Sequence, residues 1–175
     1  GHYLVATGSA PYVPPVPGLA EAGYLTSTTA MELDEVPESM LILGGGYVAL
    51  EMAQLFSRLG SRVTMLVRSR LASQEEPEAS KALAGVFADE GIRVVRRAMA
   101  DSVASGPDGV SVTANVAGGE EVFRASRILV ALGRRPVTEG LDLDAVGVKT
   151  GASGEIVVDS RLATSNPVSY THLRA

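Results

Sequence analysis

The sequence predicts an α/β fold in which a parallel sheet with crossover helices carries an antiparallel meander, and three observations support this. Met40 to Arg68, MLILGGGYVALEMAQLFSRLGSRVTMLVR, reads as strand, glycine turn, helix and second strand, a βαβ unit. A further helix and strand pattern follows, from the acids around Pro77 to Val95. From Ala98 to Phe123 helical spacing gives way to short alternating runs split by Pro107-Asp108-Gly109 and Gly118-Gly119, the pattern of a meander.

Taken in order, His2 to Thr7, HYLVAT, reads as a strand that begins almost at the first residue. Gly8 to Gly18 holds Pro11, Pro14, Pro15 and Pro17, so it is extended, stiff and closed to helix, either a crossover between domains or a rigid surface loop. Thr26 to Thr29 offers N-cap residues for a short helix through Ala30-Met31-Glu32-Leu33, and Pro37 precedes the central unit. There, Met40-Leu41-Ile42-Leu43 is an unbroken apolar run, as in a strand buried on both faces of a parallel sheet. From Tyr47 to Leu59, the residues Val48, Met52, Leu55, Phe56 and Leu59 recur at spacings of three and four, which predicts one buried stripe, and Gly60 stands where a left-handed cap belongs. Val63 to Val67 is the second strand.

Glu75, Glu76, Pro77 and Glu78 suit a helix N-terminus, and the helix runs to about Glu90, where Gly91 stops it. Ile92 to Val95 is a third parallel strand, reached by a second right-handed crossover. In the meander, Val110-Ser111-Val112-Thr113 alternates, which gives one covered and one wet face. Arg127 to Ala131 is again a buried strand and leaves through a basic turn, Leu132 to Pro136. Glu155 to Asp159 is a last short strand before Arg161 to Pro167. From Val168 onward, VSYTHLRA shows no turn signal, no periodicity and no obvious partner, and reads as a tail foreign to the rest.

Composition narrows the function. With 46% hydrophobic residues among 175, the chain can form a core and is not a disordered protein. A net charge of −5, scattered basic residues, three Phe, five Tyr and no Trp argue against nucleic-acid binding. Glu51 breaks the longest apolar run well short of the roughly 18 residues of a membrane span, so the expectation is a cytoplasmic protein without a membrane partner. There is no cysteine, and the two histidines, His2 and His172, are far apart, so neither a disulfide framework nor a metal site is expected.

The chemistry-bearing residues gather between the first strand and the helix. Gly44, Gly46 and Ala49 make the G-x-G-x-x-A form of the dinucleotide fingerprint, with Val48 in the same turn. The first glycine permits the tight turn, the second lets a pyrophosphate approach the backbone, and the small Ala49 lets helix and strand pack closely, with phosphates on the helix N-terminus. Where NAD would want an acid to bind its ribose, Arg68 stands, followed by Arg70, an arginine corner that suits the extra phosphate of NADPH; the bland alternative is two solvated arginines.

VATGSAPYVPPVPG, GGGYVALEMAQLFSRLGSRVT, ILVALGRRPVTEGLDLDAVGV and TSNP together resemble the flavin-dependent pyridine nucleotide-disulfide oxidoreductases (class I), over Gly1 to Pro167. TSTTAMEL, the arginine corner and LATSNP are most similar to the mercuric reductase branch, and less so to the dihydrolipoamide dehydrogenases. The resemblance implies a Rossmann-like NAD(P)H-binding domain over 19–133, inserted between pieces of an FAD-binding domain at 1–18 and 134–167, with 168–175 a non-native tail. It implies that Thr7 and Gly8 lie against FAD, and that Tyr47 is a movable ring over the flavin. Glu51 would lie near the nicotinamide, Gly133 along the nicotinamide path and Arg134 at the domain junction. Read without the resemblance, Tyr47 is a helix-entry aromatic and Glu51 a first-turn acid. The family's own FAD fingerprint and redox-active C-x-x-C have no counterpart here, Val137 replaces the usual Asn, and VSYTHLRA stands where a Gly-Asp is due.

The expectation is therefore an internal fragment of a homodimeric NADPH- and FAD-dependent reductase of Hg(II), with no catalytic residue of its own. The alternatives are a dihydrolipoamide dehydrogenase or other disulfide reductase, and a non-catalytic dinucleotide-binding module.

Overall fold

The computed structural model describes residues 2–171. In chain order the elements are β1 (Tyr3–Val5), β2 (Ser9–Pro11), α1 (Leu19–Ala22), α2 (Ser27–Ala30), β3 (Ser39–Leu43), α3 (Tyr47–Arg58), β4 (Arg62–Val67) and α4 (Pro77–Asp89). They continue with β5 (Arg93–Arg96), β6 (Met99–Gly106), β7 (Gly109–Val116), β8 (Gly119–Ala125), β9 (Arg127–Val130), β10 (Arg134–Pro136), a 3₁₀ turn (Leu143–Val146) and β11 (Ser169–Thr171). The chain divides into two compact units: residues 11–133, and the stretches before and after them.

In the central unit the sheet has the order β5-β4-β3-β9, with every pair parallel. Successive side chains of a strand point to opposite faces, so a strand covered on both sides must be apolar throughout. β3 shows why its run is unbroken. Met40 and Ile42 join Ala49, Ala53 and Phe56 of α3 and Phe87 of α4 in one cluster, while Leu41 and Leu43 join Val103, Val112 and Phe123 of the meander in another. The sheet is thus covered by helices on one face and by β6-β7-β8 on the other. The meander is antiparallel throughout, with a register shift between Ala100 and Ser102. Its even-numbered positions Val110, Val112 and Ala114 are buried, as the alternation predicts.

Several local expectations are corrected. The buried stripe of α3 is Ala49, Leu50, Ala53 and Phe56, because two alanines let the helix lie close to the sheet; Met52 and Leu55 flank it, and Leu59, at the C-cap, is exposed. The short helix takes its N-cap from the expected stretch, Thr26, through a reciprocal capping box with Thr29, but it ends at Ala30 instead of continuing to Leu33. α1 is an additional helix, anchored by Leu19 in the second cluster. The prolines after Pro11 run with the central unit, where Val13 and Val16 pack on that cluster and Val103 donates its N–H to the Pro17 carbonyl at 2.8 Å.

In the flanking unit, Arg134–Pro136 is a strand paired with β2 rather than part of a turn. Glu155 to Asp159 is not a strand: Ile156 and Val158 make only isolated bridges, to Thr150 and Thr164. The segment from Val168 does find a partner, because β11 pairs in parallel with β1, Tyr3 opposite Ser169. Residues 172–175 of the expected tail lie outside the described residues. No helix among the described residues is long and apolar enough to cross a membrane.

Candidate nucleotide-binding site

Three consecutive glycines close β3 onto α3, and they differ in kind. Gly44 has φ 132, a conformation L side chains rarely adopt, and a Cβ there would run into the Ala131 carbonyl. A Cβ on Gly45 would meet Val67 Cγ1 at 2.5 Å and the Arg70 carbonyl oxygen at 3.4 Å. Both are glycine because the protein's own packing leaves no volume. Gly46 is different: its backbone is extended, φ −83 and ψ 179, and a Cβ there would meet nothing within 4 Å. Nothing within the fold requires a glycine at this position.

Gly46 is also the N-cap of α3, and no side chain caps that helix, in contrast to the capping box of α2. An uncapped N-terminus carries free N–H groups and a partial positive charge, and here it adjoins an open volume. This combination fits a pyrophosphate. Ala49 is fully buried, with its Cβ 3.5 Å from where a Gly44 Cβ would stand, so a larger residue would push α3 off the turn. Val48 is half-buried in the first turn of α3.

The loop after β4 is stitched to the glycine turn. Ala72, held at φ 43, donates its N–H to the Gly45 carbonyl at 2.7 Å. Arg70 Nη2 donates to the carbonyls of Ser73, 3.0 Å, and Glu75, 2.7 Å. The Glu75 carboxylate accepts a hydrogen bond from the Tyr47 hydroxyl. That bond holds the Tyr47 phenol above its usual pKa range, and desolvation and the Glu75 charge add to the shift. Tyr47 is 58% exposed. Arg68 is exposed and makes no hydrogen bond or ion pair among the described residues.

Of the predicted residues, Gly44, Gly46, Tyr47, Val48, Ala49, Arg68 and Arg70 come together at the C-terminal ends of β3 and β4. Glu51 is exposed and belongs to the second turn of α3; the first turn holds no acid, so the helix-dipole reading of Glu51 does not apply. Gly133, φ 125, belongs to the central unit, where its carbonyl accepts the Tyr12 N–H at 2.9 Å. Thr7, Gly8 and Arg134 lie in the flanking unit. There the Gly8 carbonyl accepts the Val137 N–H at 3.0 Å, and Arg134 donates Nε to Ser9 Oγ at 2.8 Å and Nη2 to the Ser9 carbonyl.

Sequence reasoning misses Glu75 as the partner of Tyr47, since it reads there only as an acid before a helix. It also misses Ala72, whose positive φ leaves no mark in the sequence. A cavity of 610 Å³ opens at the other end of β3, lined by Pro37, Glu38, Asp108 and Arg127. Parallel sheets take their ligands at the carboxyl ends of the strands, so the glycine turn and not this cavity is the candidate.

Residues 1–170 match the model of the pyridine nucleotide-disulphide oxidoreductases. The chain belongs to that family. It is 57% identical over 166 residues to the mercuric reductase of Streptomyces lividans, covering 95% of this chain and 35% of that protein. It is 42% identical over 169 residues to the mercuric reductase of Staphylococcus aureus, covering 96% and 31%. The HOCl-induced flavoprotein disulfide reductase RclA from Escherichia coli superposes with a TM-score of 0.86 at 29% identity, over 97% of this chain and 39% of that one. The chain thus spans about a third of the length of the curated relatives it matches, as a piece of a pyridine nucleotide-disulphide oxidoreductase would.

Proposed function

We propose that this chain is the NADPH-binding part of an FAD-dependent reductase whose substrate is Hg(II). The observation that carries the nucleotide reading is Gly46, a glycine with no structural reason of its own, standing at an uncapped helix N-terminus with open volume before it. In this reading the first-turn N–H groups of α3 hold the pyrophosphate, and Gly44, Gly45 and Ala49 shape the turn that presents them. Arg68 offers an unengaged guanidinium to the 2′-phosphate. When bound, NADPH supplies a hydride and FAD accepts it. Thr7, Gly8 and Arg134 belong to the flavin-binding part, and Tyr47 stands at the glycine turn beside the nucleotide.

The mercury assignment is supported by the mercuric reductases among its relatives, which are about three times as long as this chain, and it concerns a whole protein of that kind. A second reading, a nucleotide-binding module without catalysis, is favoured for the isolated chain by its lack of any cysteine. The test of the NADPH assignment is a titration of the chain with NADPH and NADH, alone and as Arg68→Glu. The expected result is a preference for NADPH that Arg68→Glu reverses toward NADH by about tenfold or more, since charge reversal removes one charge-assisted partner and repels the phosphate. An unchanged ratio would show that the corner is only solvated.

A further inference from the structure

The two arginines of the corner are engaged in different ways. Arg68 is exposed and makes no hydrogen bond or ion pair among the described residues. Arg70 is half-buried, and its Nη2 bridges two main-chain oxygens, those of Ser73 at 3.0 Å and Glu75 at 2.7 Å. Turning Nη2 toward a phosphate would release both carbonyls and the segment they belong to. The segment is otherwise closed on itself and on the glycine turn: Glu75 donates its N–H to the Ala72 carbonyl at 2.9 Å, and Ala72 donates its own to the Gly45 carbonyl at 2.7 Å. Its last residue, Glu75, accepts the hydroxyl of Tyr47, the first residue of α3. A closed ring of bonds therefore runs from Gly45 through Ala72 and the Arg70-held Glu75 to Tyr47, two residues from where it began.

We infer that Arg70 is a positioning residue: it holds the Glu75 carboxylate where that group fixes the Tyr47 ring beside the glycine turn, and Arg68 alone is left to take a ribose phosphate. The inference rests on the nucleotide reading above and refines it, because only one arginine of the pair then sets the choice between NADPH and NADH. The Tyr47 hydroxyl is faced by the Glu75 carboxylate. Arg70 acts on it only through the segment, and Glu51 follows one turn along the same helix.

The chain carries five tyrosines, so ring-13C-labelled tyrosine gives a simple NMR spectrum at neutral pH, in which the Tyr47 signal is identified by its loss in Tyr47→Phe. Arg70→Ala is expected to move that signal to the position it takes in Glu75→Ala. Glu75→Gln, which keeps an acceptor, should leave it near its original place. NADPH and NADH titrations on the same proteins should show the preference for NADPH kept within about twofold in Arg70→Ala and reduced about tenfold in Arg68→Ala. If Arg70→Ala does not fold, Arg70→Gln is read in its place. A Tyr47 signal that stays put in the Arg70 variant, or a loss of NADPH preference there equal to that of Arg68→Ala, would overturn the inference. If the Tyr47 signal moves as expected but neither arginine affects the preference, the NADPH reading fails while the clamp stands.

Discussion

Replacing Gly46 with valine separates nucleotide binding from folding, and the structure sets both magnitudes. The backbone there is extended, and an added Cβ meets nothing within 4 Å, so there is neither strain nor clash. Losing a glycine makes the unfolded chain less free and stabilises by about 0.4–1 kcal/mol. Valine is a poor N-cap, and the loss of the glycine cap costs of similar order, about 0.5–1 kcal/mol. The two nearly cancel, so the melting temperature should move by no more than about 2 °C, given roughly 2–4 °C per kcal/mol for a chain of this size. Affinity should respond differently, since the valine methyls occupy the open volume at the N-terminus of α3 where a pyrophosphate would approach. We expect NADPH binding to weaken at least tenfold, about 1.4 kcal/mol. Gly44→Ala is the opposite control: the Ala131 carbonyl and φ 132 both oppose it, and it should destabilise by about 1–3 kcal/mol. Thermal melting and NADPH titration on the same samples read the two effects independently. Folded Gly46→Val protein with parental affinity would refute the glycine turn as phosphate cradle.

The isolated chain with FAD, NADPH and either Hg(II) or a disulfide should show no substrate-dependent NADPH oxidation, because it holds no thiol to act as nucleophile or metal ligand; steady oxidation followed at 340 nm would contradict this. Glu90 accepts from Arg58 at 2.6 Å and from Gln54 at 3.0 Å, and the hydrogen bond to Arg58 lowers its pKa from the ordinary 4.5. A depressed folded pKa gives stability that is complete above the unfolded value and is lost as pH falls through the folded one. On acidification below pH 4.5 the parent should therefore lose melting temperature more steeply than Glu90→Gln, and parallel slopes would remove the pair from the acid response. Phe87, fully buried on the sheet-facing side of α4, should cost about 3–5 kcal/mol as Phe87→Ala, with denaturant midpoints as the measure.

Much of this architecture is legible in the sequence because its signals are local. The apolar run at Met40, the glycine after Leu59, Pro77 at the start of α4 and the paired turns of the meander each act within a few residues, and each element lies where those signals put it. The sequence misleads where a distant partner decides. Arg134 to Pro136 looks like a turn until β2 is set beside it, Ser169 to Thr171 looks partnerless until β1 is, and Glu155 to Asp159 has the composition of a strand but no neighbour to pair along its length. At the candidate site the fingerprint residues are legible because their spacing is fixed by the turn itself. The different engagement of Arg68 and Arg70 is not, since it depends on which carbonyls a loop with a left-handed Ala72 turns inward.

The pairing of β3 with β9 joins residues 87 positions apart, as the Ser39–Ser126 contact marks. On a ribosome adding about 5–20 residues per second, β3 emerges on the order of 4–17 s before the strand that will lie beside it. Through that interval the nascent sheet holds β3 as a bare edge of Met40, Leu41, Ile42 and Leu43, the kind of edge that recruits other chains. The meander that will cover its second face is made within the same window, so both protections arrive nearly together. Slowing translation between residues 44 and 126 would lengthen the exposure, and a chain released before Val130 would carry its most apolar strand unguarded into aggregation or a chaperone.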